Sequence, residues 1–147
     1  MNTHKVADWM TKEVISIAPG TTLPEATALM RDKHIRRLPV VENGHLVGIV
    51  TYGDLRKASP SDATGLSIHE IGYLLQRISV EKLMTRKPFT VSPDTALTEA
   101  ARLMLQHKIG ALPVVKDGGL VGIITESDIF RAFMRLLDEE PVAVAAV

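Results

Sequence analysis

Two threonine–aspartate pairs, Thr51/Asp54 and Thr125/Asp128, each set a hydroxyl three residues ahead of a carboxylate. Each follows a short apolar run, Leu46–Val50 or Leu120–Ile124, and each opens a segment that reads as a helix. A threonine three residues ahead of a carboxylate is first of all a helix cap, with the acid in the first turn complementing the helix dipole. The same pair is equipped to hold a ligand. A carboxylate can accept two hydrogen bonds from a sugar diol. A hydroxyl at a strand end, beside the free N–H groups of a helix N-terminus, can meet an anion. Capping and binding are compatible. Ahead of the first pair stand two adjacent arginines, Arg36 and Arg37. They could grip a phosphate through bidentate hydrogen bonds, or form a solvated basic edge that discourages strand pairing. The matching places in the second half hold Gly110 and Ala111, which supply no charge.

Other chemistries are poorly provided for. The chain has no cysteine, which removes disulfides, thiolate nucleophiles and cysteine-based zinc or iron–sulfur sites. His4, His34, His45, His69 and His107 are scattered without an i, i+4 pair and read as surface or core side chains, not metal ligands. Met10, Met30, Met84 and Met104 recur at matched positions, which core packing explains better than metal binding. There is no G-x-x-x-x-G-K-[ST] phosphate loop and no G-x-S-x-G elbow. Asp54 and Asp128 have no evident base partner. The expectation is a protein that is not an enzyme and requires no metal or cofactor.

Lys plus Arg equals Asp plus Glu at 17 each. A protein that neutralises nucleic-acid phosphates normally shows a basic excess, so nucleic acid is not the expected partner. Met1–Trp9 has no apolar core of signal-peptide length, and no run approaches the roughly 18 apolar residues of a bilayer span. A cytoplasmic location without a membrane partner is expected. With 46% apolar, 23% charged and only 4% aromatic residues, Val, Ile, Leu, Ala and Met must build the core.

The elements that position the two pairs come from a duplication. Val6–Ala58 falls onto Val80–Ala132 without a gap. Met10-Thr11 meets Met84-Thr85, Leu38-Pro-Val-Val41 meets Leu112-Pro-Val-Val115, and Leu46-Val-Gly-Ile49 meets Leu120-Val-Gly-Ile123. Each copy reads as strand, helix, strand, turn, strand, helix. Val14–Ile17 is a β-branched run ended by Pro19-Gly20. Thr22-Leu-Pro-Glu25 has the form of a capping box, and Leu23, Ala26, Leu29 and Met30 follow on one helical face. Leu38–Val41 and Leu46–Val50 read as strands buried on both sides, joined through Asn43-Gly44, a tight-hairpin signal. Lys116-Asp-Gly-Gly119 occupies the same place in the second copy. The link Ser59–Ser79 opens with Ser-Pro-Ser-Asp. It continues through a second capping box, Ser67–Glu70, into an amphipathic helix bearing Ile68, Ile71, Leu74, Leu75 and Ile78. The tail Pro141–Val147 is apolar and without periodicity.

This succession resembles the CBS domain. The carrying residues are Met-Thr, Pro-x-x-x-Leu at the first helix, Leu-Pro-Val-Val, and Leu-Val-Gly-Ile-(Val/Ile)-Thr-x-x-Asp. A tandem pair of CBS domains is called a Bateman module. The resemblance covers Val6–Ala58 and Val80–Phe133, and the link is similar to that of acetoin-utilisation (AcuB-like) proteins, which often continue into an ACT domain. It implies an α/β (α+β) fold, a tandem CBS-domain pair of two βαββα repeats related by a pseudo-twofold axis. Residues 1–66 would hold repeat 1 and the start of the linker, and residues 67–147 the linker helix, repeat 2 and the tail.

The implied function is regulatory: an adenosine nucleotide (AMP, ADP or ATP) bound in a cleft between the repeats. S-adenosylmethionine, a dinucleotide, or a structural dimerisation module with degenerate sites are the alternatives. The resemblance puts Ile49, Thr51, Asp54 and Arg37 in one site with Thr85, Phe89, Ile109 and Gly110. It puts Ile123, Thr125 and Asp128 in the other with Thr11, Ile15, Ile35 and Arg36. Phe89 would stack on a base or pack in the core. Arg37 would reach the phosphate of the Asp54 ligand, and Arg36 would face the neighbouring one. Unequal sites are expected, with phosphate-bearing nucleotides favouring the Asp54 site. A homodimer and an unidentified regulated protein complete the implied partners.

Overall fold

A computed structural model describes residues 4–60 and 65–139 of the chain. Part of the link's opening turn signal and the apolar tail Pro141–Val147 lie outside the described residues. The elements are α1 (Val6–Trp9), α2 (Leu23–Lys33), β1 (Arg37–Glu42), β2 (His45–Thr51), α3 (Tyr52–Ala58) and α4 (Ile68–Leu75). A 3-10 turn (Val80–Lys82) follows, then β3 (Thr85–Arg86), α5 (Leu97–His107), β4 (Ala111–Lys116), β5 (Gly119–Thr125) and α6 (Glu126–Glu139).

Local chemistry accounts for most of these. Asn43 and Gly44 both take positive φ, 52° and 80°, and Asp117 and Gly118 repeat this at 52° and 81°. That is the backbone of a two-residue hairpin whose twist matches its strands. At the start of α2, Thr22 Oγ1 accepts from the Glu25 N–H at 3.3 Å, and Glu25 Oε2 accepts from the Thr22 N–H at 3.0 Å, completing the expected box. At α4 only half of the expected box forms: Ser67 Oγ accepts from the Glu70 N–H. Ile68 and Leu74 of that helix are exposed, whereas Leu75 and Ile78 pack on the core beneath.

Two expectations are corrected. Val14–Ile17 does not form a strand. It contributes a single parallel bridge, Ile17 to Val40, because Pro19-Gly20 turns the chain away two residues later. Val91 makes the matching bridge to Val114. The strands of the first hairpin are not both buried on two sides either. Leu38, Pro39 and Val40 are buried in succession, but β2 alternates, with Gly48 and Val50 buried and Ile49 and Thr51 half-buried.

The chain forms two compact units, each drawing residues from both sequence copies. One, here the Asp54 unit, comprises Ile15–Pro88 and Gly118–Leu120; the other, the Asp128 unit, comprises Met1–Val14, Phe89–Asp117 and Val121–Val147. Within the Asp54 unit, β1 and β2 pair antiparallel with Arg37 opposite Thr51, and β3 adds to β2 with Thr85 opposite Ile49. The core beneath them is Leu23, Ala26, Met30, Leu38, Val40, Val50, Leu55, Val80 and Met84. Within the Asp128 unit the corresponding core is Val91, Leu97, Ala100, Met104, Leu112, Val114, Ile124 and Ala132, together with Val6.

The leaders are therefore exchanged. Val80–Thr85, from the second sequence copy, completes the first copy's core, and Val6–Thr11 completes the second's. Two glycines make room for this. A Cβ on Gly48 would lie 2.5 Å from Met84 Sδ, and one on Gly122 would lie 2.6 Å from Met10 Sδ. A bare glycine lets each methionine cross the strand closely. The recurrent methionines are core residues, as their matched positions suggested: Met30, Met84 and Met104 are buried, and Met10 packs against the core partly exposed.

Candidate functional site

In the Asp54 unit, register collects one half of the expected first site. Residues directly opposed in an antiparallel pair share a sheet face, as do alternate residues along one strand. Arg37 opposes Thr51, Thr85 opposes Ile49, and Ile49 and Thr51 alternate on β2, so all four lie on one face. Leu38 and Val50 take the opposite, core-facing side. The chain then turns into α3, where Thr51 and Asp54 bond reciprocally. Asp54 Oδ2 accepts from the Thr51 N–H at 2.8 Å, and Thr51 Oγ1 accepts from the Asp54 N–H at 3.1 Å.

This leaves specific valences open. The Thr51 hydroxyl spends a lone pair on the cap and keeps its proton. Asp54 Oδ1 has no partner among the described residues, and the residue is only half-buried. Arg37 makes no ion pair among the described residues. Arg36 is exposed, with its guanidinium 4.9 Å from the centroid of the Tyr52 ring, within cation–π range. Its backbone carbonyl accepts from the Tyr52 N–H at 2.8 Å, which ties the strand entrance to the first residue of α3.

In the Asp128 unit the same backbone plan carries different side-chain bonding. Thr11 and Ile123 exchange two backbone hydrogen bonds, at 2.9 and 3.0 Å, so Thr11 is brought to β5 as Thr85 is to β2. The Glu126 N–H donates to the Gly110 carbonyl at 3.0 Å, repeating the Tyr52–Arg36 tie. Asp128, however, is buried, its side chain only 7% exposed. Its Oδ2 accepts from the Thr125 N–H at 2.9 Å and from Thr125 Oγ1 at 3.1 Å, and its Oδ1 accepts from Arg131 Nη1 at 2.9 Å.

The remaining expected residues divide between the units. Ile15 and Ile35 are half-buried in the Asp54 unit and pack on its core. Phe89, Ile109 and Gly110 belong to the Asp128 unit. Ile109 is partly buried against that core. Phe89 is not a core residue: it is 50% exposed and stacks on His107, centroids 3.9 Å apart and planes 17° from parallel. Among the described residues no three His, Asp or Glu side chains come together as a metal set, and no helix is long and apolar enough to cross a membrane.

Three participants were not singled out from the sequence. Arg131 sits three residues after Asp128 on a helix, a spacing that brings side chains together and could have flagged it. Tyr52 and His107 carried no local signal; each acquires its role from a neighbour brought by the fold.

Comparison with known proteins agrees with this architecture. The CBS domain model matches residues 6–61 and 80–135. The chain is a member of the CBS-domain family. The chain spans about a quarter of the length of some of its curated relatives: a homoserine O-acetyltransferase of Methanococcoides burtonii is 40% identical over 88% of this chain and 24% of its own length. Among solved structures, CBSX2 in complex with AMP is similar at 33% identity and TM-score 0.76, covering 91% of this chain and 98% of that one. The structure of an acetoin utilization protein (AcuB) from Vibrio cholerae is similar at 36% identity and TM-score 0.75, covering 93% of this chain and 98% of that one. The CBS domain pair of protein MJ0100, solved with 5-methylthioadenosine and S-adenosyl-L-methionine, is similar at 29% identity and TM-score 0.75, covering 91% and 98%.

Proposed function

We propose that this CBS pair is a regulatory module that binds an adenosine nucleotide, AMP first among the candidates, with Asp54 gripping the ribose diol. The observation that carries the reading is the open half of the Asp54 carboxylate. It stands beside an uncommitted Thr51 hydroxyl, with Arg37 on the same sheet face. Charge-assisted bonds from two ribose hydroxyls suit Oδ1, and a guanidinium suits a phosphate. Ile49 and Thr85 line the same face, one apolar and one polar. Phe89, with half its surface free, offers a ring against which a base can stack. Ile109 and Gly110 belong to the same proposed site, and Thr11, Ile15, Ile35 and Arg36 to the second, around Ile123, Thr125 and Asp128. That similar CBS pairs were solved with AMP or with S-adenosyl-L-methionine supports an adenosine ligand and leaves its 5′ substituent to experiment.

The module acts by binding and not by turnover. Ligand binding biases a regulated protein only to the extent that its affinity differs between two states of the pair. Calorimetry and thermal unfolding with AMP, ADP, ATP and S-adenosylmethionine test this. A ligand at a hundred times its Kd should stabilise the fold by about 2.7 kcal/mol. If none gives heat or a shift at millimolar concentration, the pair is a structural dimerisation module.

A homodimer is part of the proposal. Phe130, Phe133, Met134 and Leu137 form an exposed stripe on α6 at the i, i+3, i+4, i+7 spacing of one helix face. A second copy of the chain would bury it. Sedimentation should show a dimer that Phe133→Glu dissociates; an unchanged mass would remove α6 from the interface.

A further inference from the structure

We infer that Arg131 is a latch that holds the second site closed, so that one chain takes up one nucleotide, at Asp54. This rests on the nucleotide-binding reading above and names what makes the two sites unequal. The first half of the inference is a count of donors. Asp128 receives three: the Thr125 N–H, the Thr125 hydroxyl and Arg131 Nη1. Asp54 receives one among the described residues, the Thr51 N–H. A ribose diol needs carboxylate lone pairs that point outward, and at Asp128 the guanidinium already holds the oxygen that Asp54 leaves free.

The second half is the threonine. Thr51 Oγ1 accepts from the Asp54 N–H, so its proton remains available to a ligand. The proton of Thr125 Oγ1 is committed to Asp128 Oδ2. The two groups that would contact a sugar are thus bonded to each other and to Arg131 in one copy and open in the other. Burial follows the same division, since Asp128 is buried and Asp54 half-buried.

The sequence difference behind this is small. The residue matching Arg131 is Lys57, on the same turn of the closing helix relative to its aspartate. Lys57 is exposed and makes no ion pair with Asp54. An ammonium is a compact, strongly hydrated charge, whereas a planar guanidinium loses less freedom per hydrogen bond and settles on a carboxylate at i, i+3. Arg131 itself is 63% exposed, so it can leave Asp128 for solvent without unfolding the helix.

The test is the stoichiometry of AMP binding by calorimetry on the full chain, with the reciprocal exchange of the two basic residues. The wild-type chain should bind one AMP. Arg131→Lys, which reproduces the first copy, should bind two, and Asp54→Ala in that background should return the count to one. Lys57→Arg should weaken the wild-type site several-fold while leaving the unfolding midpoint unchanged. A wild-type count of two would overturn the latch and leave the nucleotide reading standing, as would a count of one in both wild type and Arg131→Lys. Tighter binding in Lys57→Arg would overturn it too, because the guanidinium would then be serving the ligand. No AMP binding in either wild type or Arg131→Lys would remove the nucleotide reading and the latch with it.

Discussion

The entrances of α3 and α6 share their backbone plan and differ in what their side chains are bonded to. Each begins after a strand ending in Thr, each has Asp at the third helical position, and each is tied to the preceding strand entrance by one backbone hydrogen bond. At α3 the surrounding side chains are Arg36, Arg37, Tyr52 and Arg56, with both Arg36 and Arg56 over the Tyr52 ring. At α6 the matching residues are Gly110, Ala111, Glu126 and Phe130, and the Arg131 guanidinium is bonded to Asp128. The difference shows how a duplicated site diverges without disturbing the fold. The backbone hydrogen bonds that shape the entrance are indifferent to side-chain identity, so charge can be redistributed freely around them.

The largest expected contrast is between the two aspartates. Asp54→Ala should cost about 1.5–3 kcal/mol of nucleotide affinity, roughly ten- to a hundredfold, by removing charge-assisted bonds to the ligand. Its effect on folding should be confined to a lost capping bond. Asp128→Ala should do the reverse: about 1–3 kcal/mol off the unfolding free energy in urea, since the Thr125 N–H and Arg131 lose their acceptor, with little change in AMP affinity. Equal effects of the two substitutions on binding would erase the contrast.

Where the copies agree, substitutions should agree. Gly48→Ala and Gly122→Ala each press a methyl onto a crossing methionine and a backbone carbonyl, Thr85 O at 2.9 Å or Thr11 O at 3.0 Å. Each should destabilise by about 1–3 kcal/mol, and by similar amounts, in thermal unfolding. A large disparity would mean that the two exchanged leaders are held differently. At the hairpin tips, Gly44→Ala and Gly118→Ala should each cost about 1–2 kcal/mol, because both glycines lie at positive φ. Gly118 should be the more sensitive, since its Cβ would also meet the His45 ring at 3.1 Å.

The smallest contrast concerns the first helix of each copy. Thr22 caps α2, but Ala96, its counterpart, gives α5 no side-chain cap. Thr22→Ala should cost about 1 kcal/mol, and Ala96→Thr should recover part of that at α5, read as opposite shifts of the unfolding midpoint.

Much of the fold was legible because its signals are local. Asn43-Gly44 and Asp117-Gly118 specify their turns through positive φ within the dipeptide. Thr22–Glu25 specifies a helix start within four residues. The Thr51/Asp54 and Thr125/Asp128 pairs could be found for the same reason, but not the Arg37–Thr51 adjacency: a register shift between Val40 and Val41 moves the pairing one residue away from the Arg37–Val50 match that the turn alone would set. The strand expected at Val14–Ile17 failed because β-branched composition speaks for extended backbone but not for the length of pairing. Phe89 was legible only as an aromatic residue of uncertain side; its stacking partner His107 lies at the far end of α5.

The duplication, the places of the turns and caps, and the residues at the openings of the closing helices can all be read from the amino-acid order. Tertiary structure alone decided which copy each Met-Thr leader completes and which aspartate keeps a free oxygen. The physical reason is degeneracy. Met10 could cross Gly48 or Gly122 with the same local chemistry, because the two strands are nearly identical in sequence, and only the path of the chain through space selects Gly122. Likewise, a basic residue at i, i+3 from each aspartate is present in both copies, and only the packed helix shows that Arg131 reaches its carboxylate while Lys57 stays in solvent.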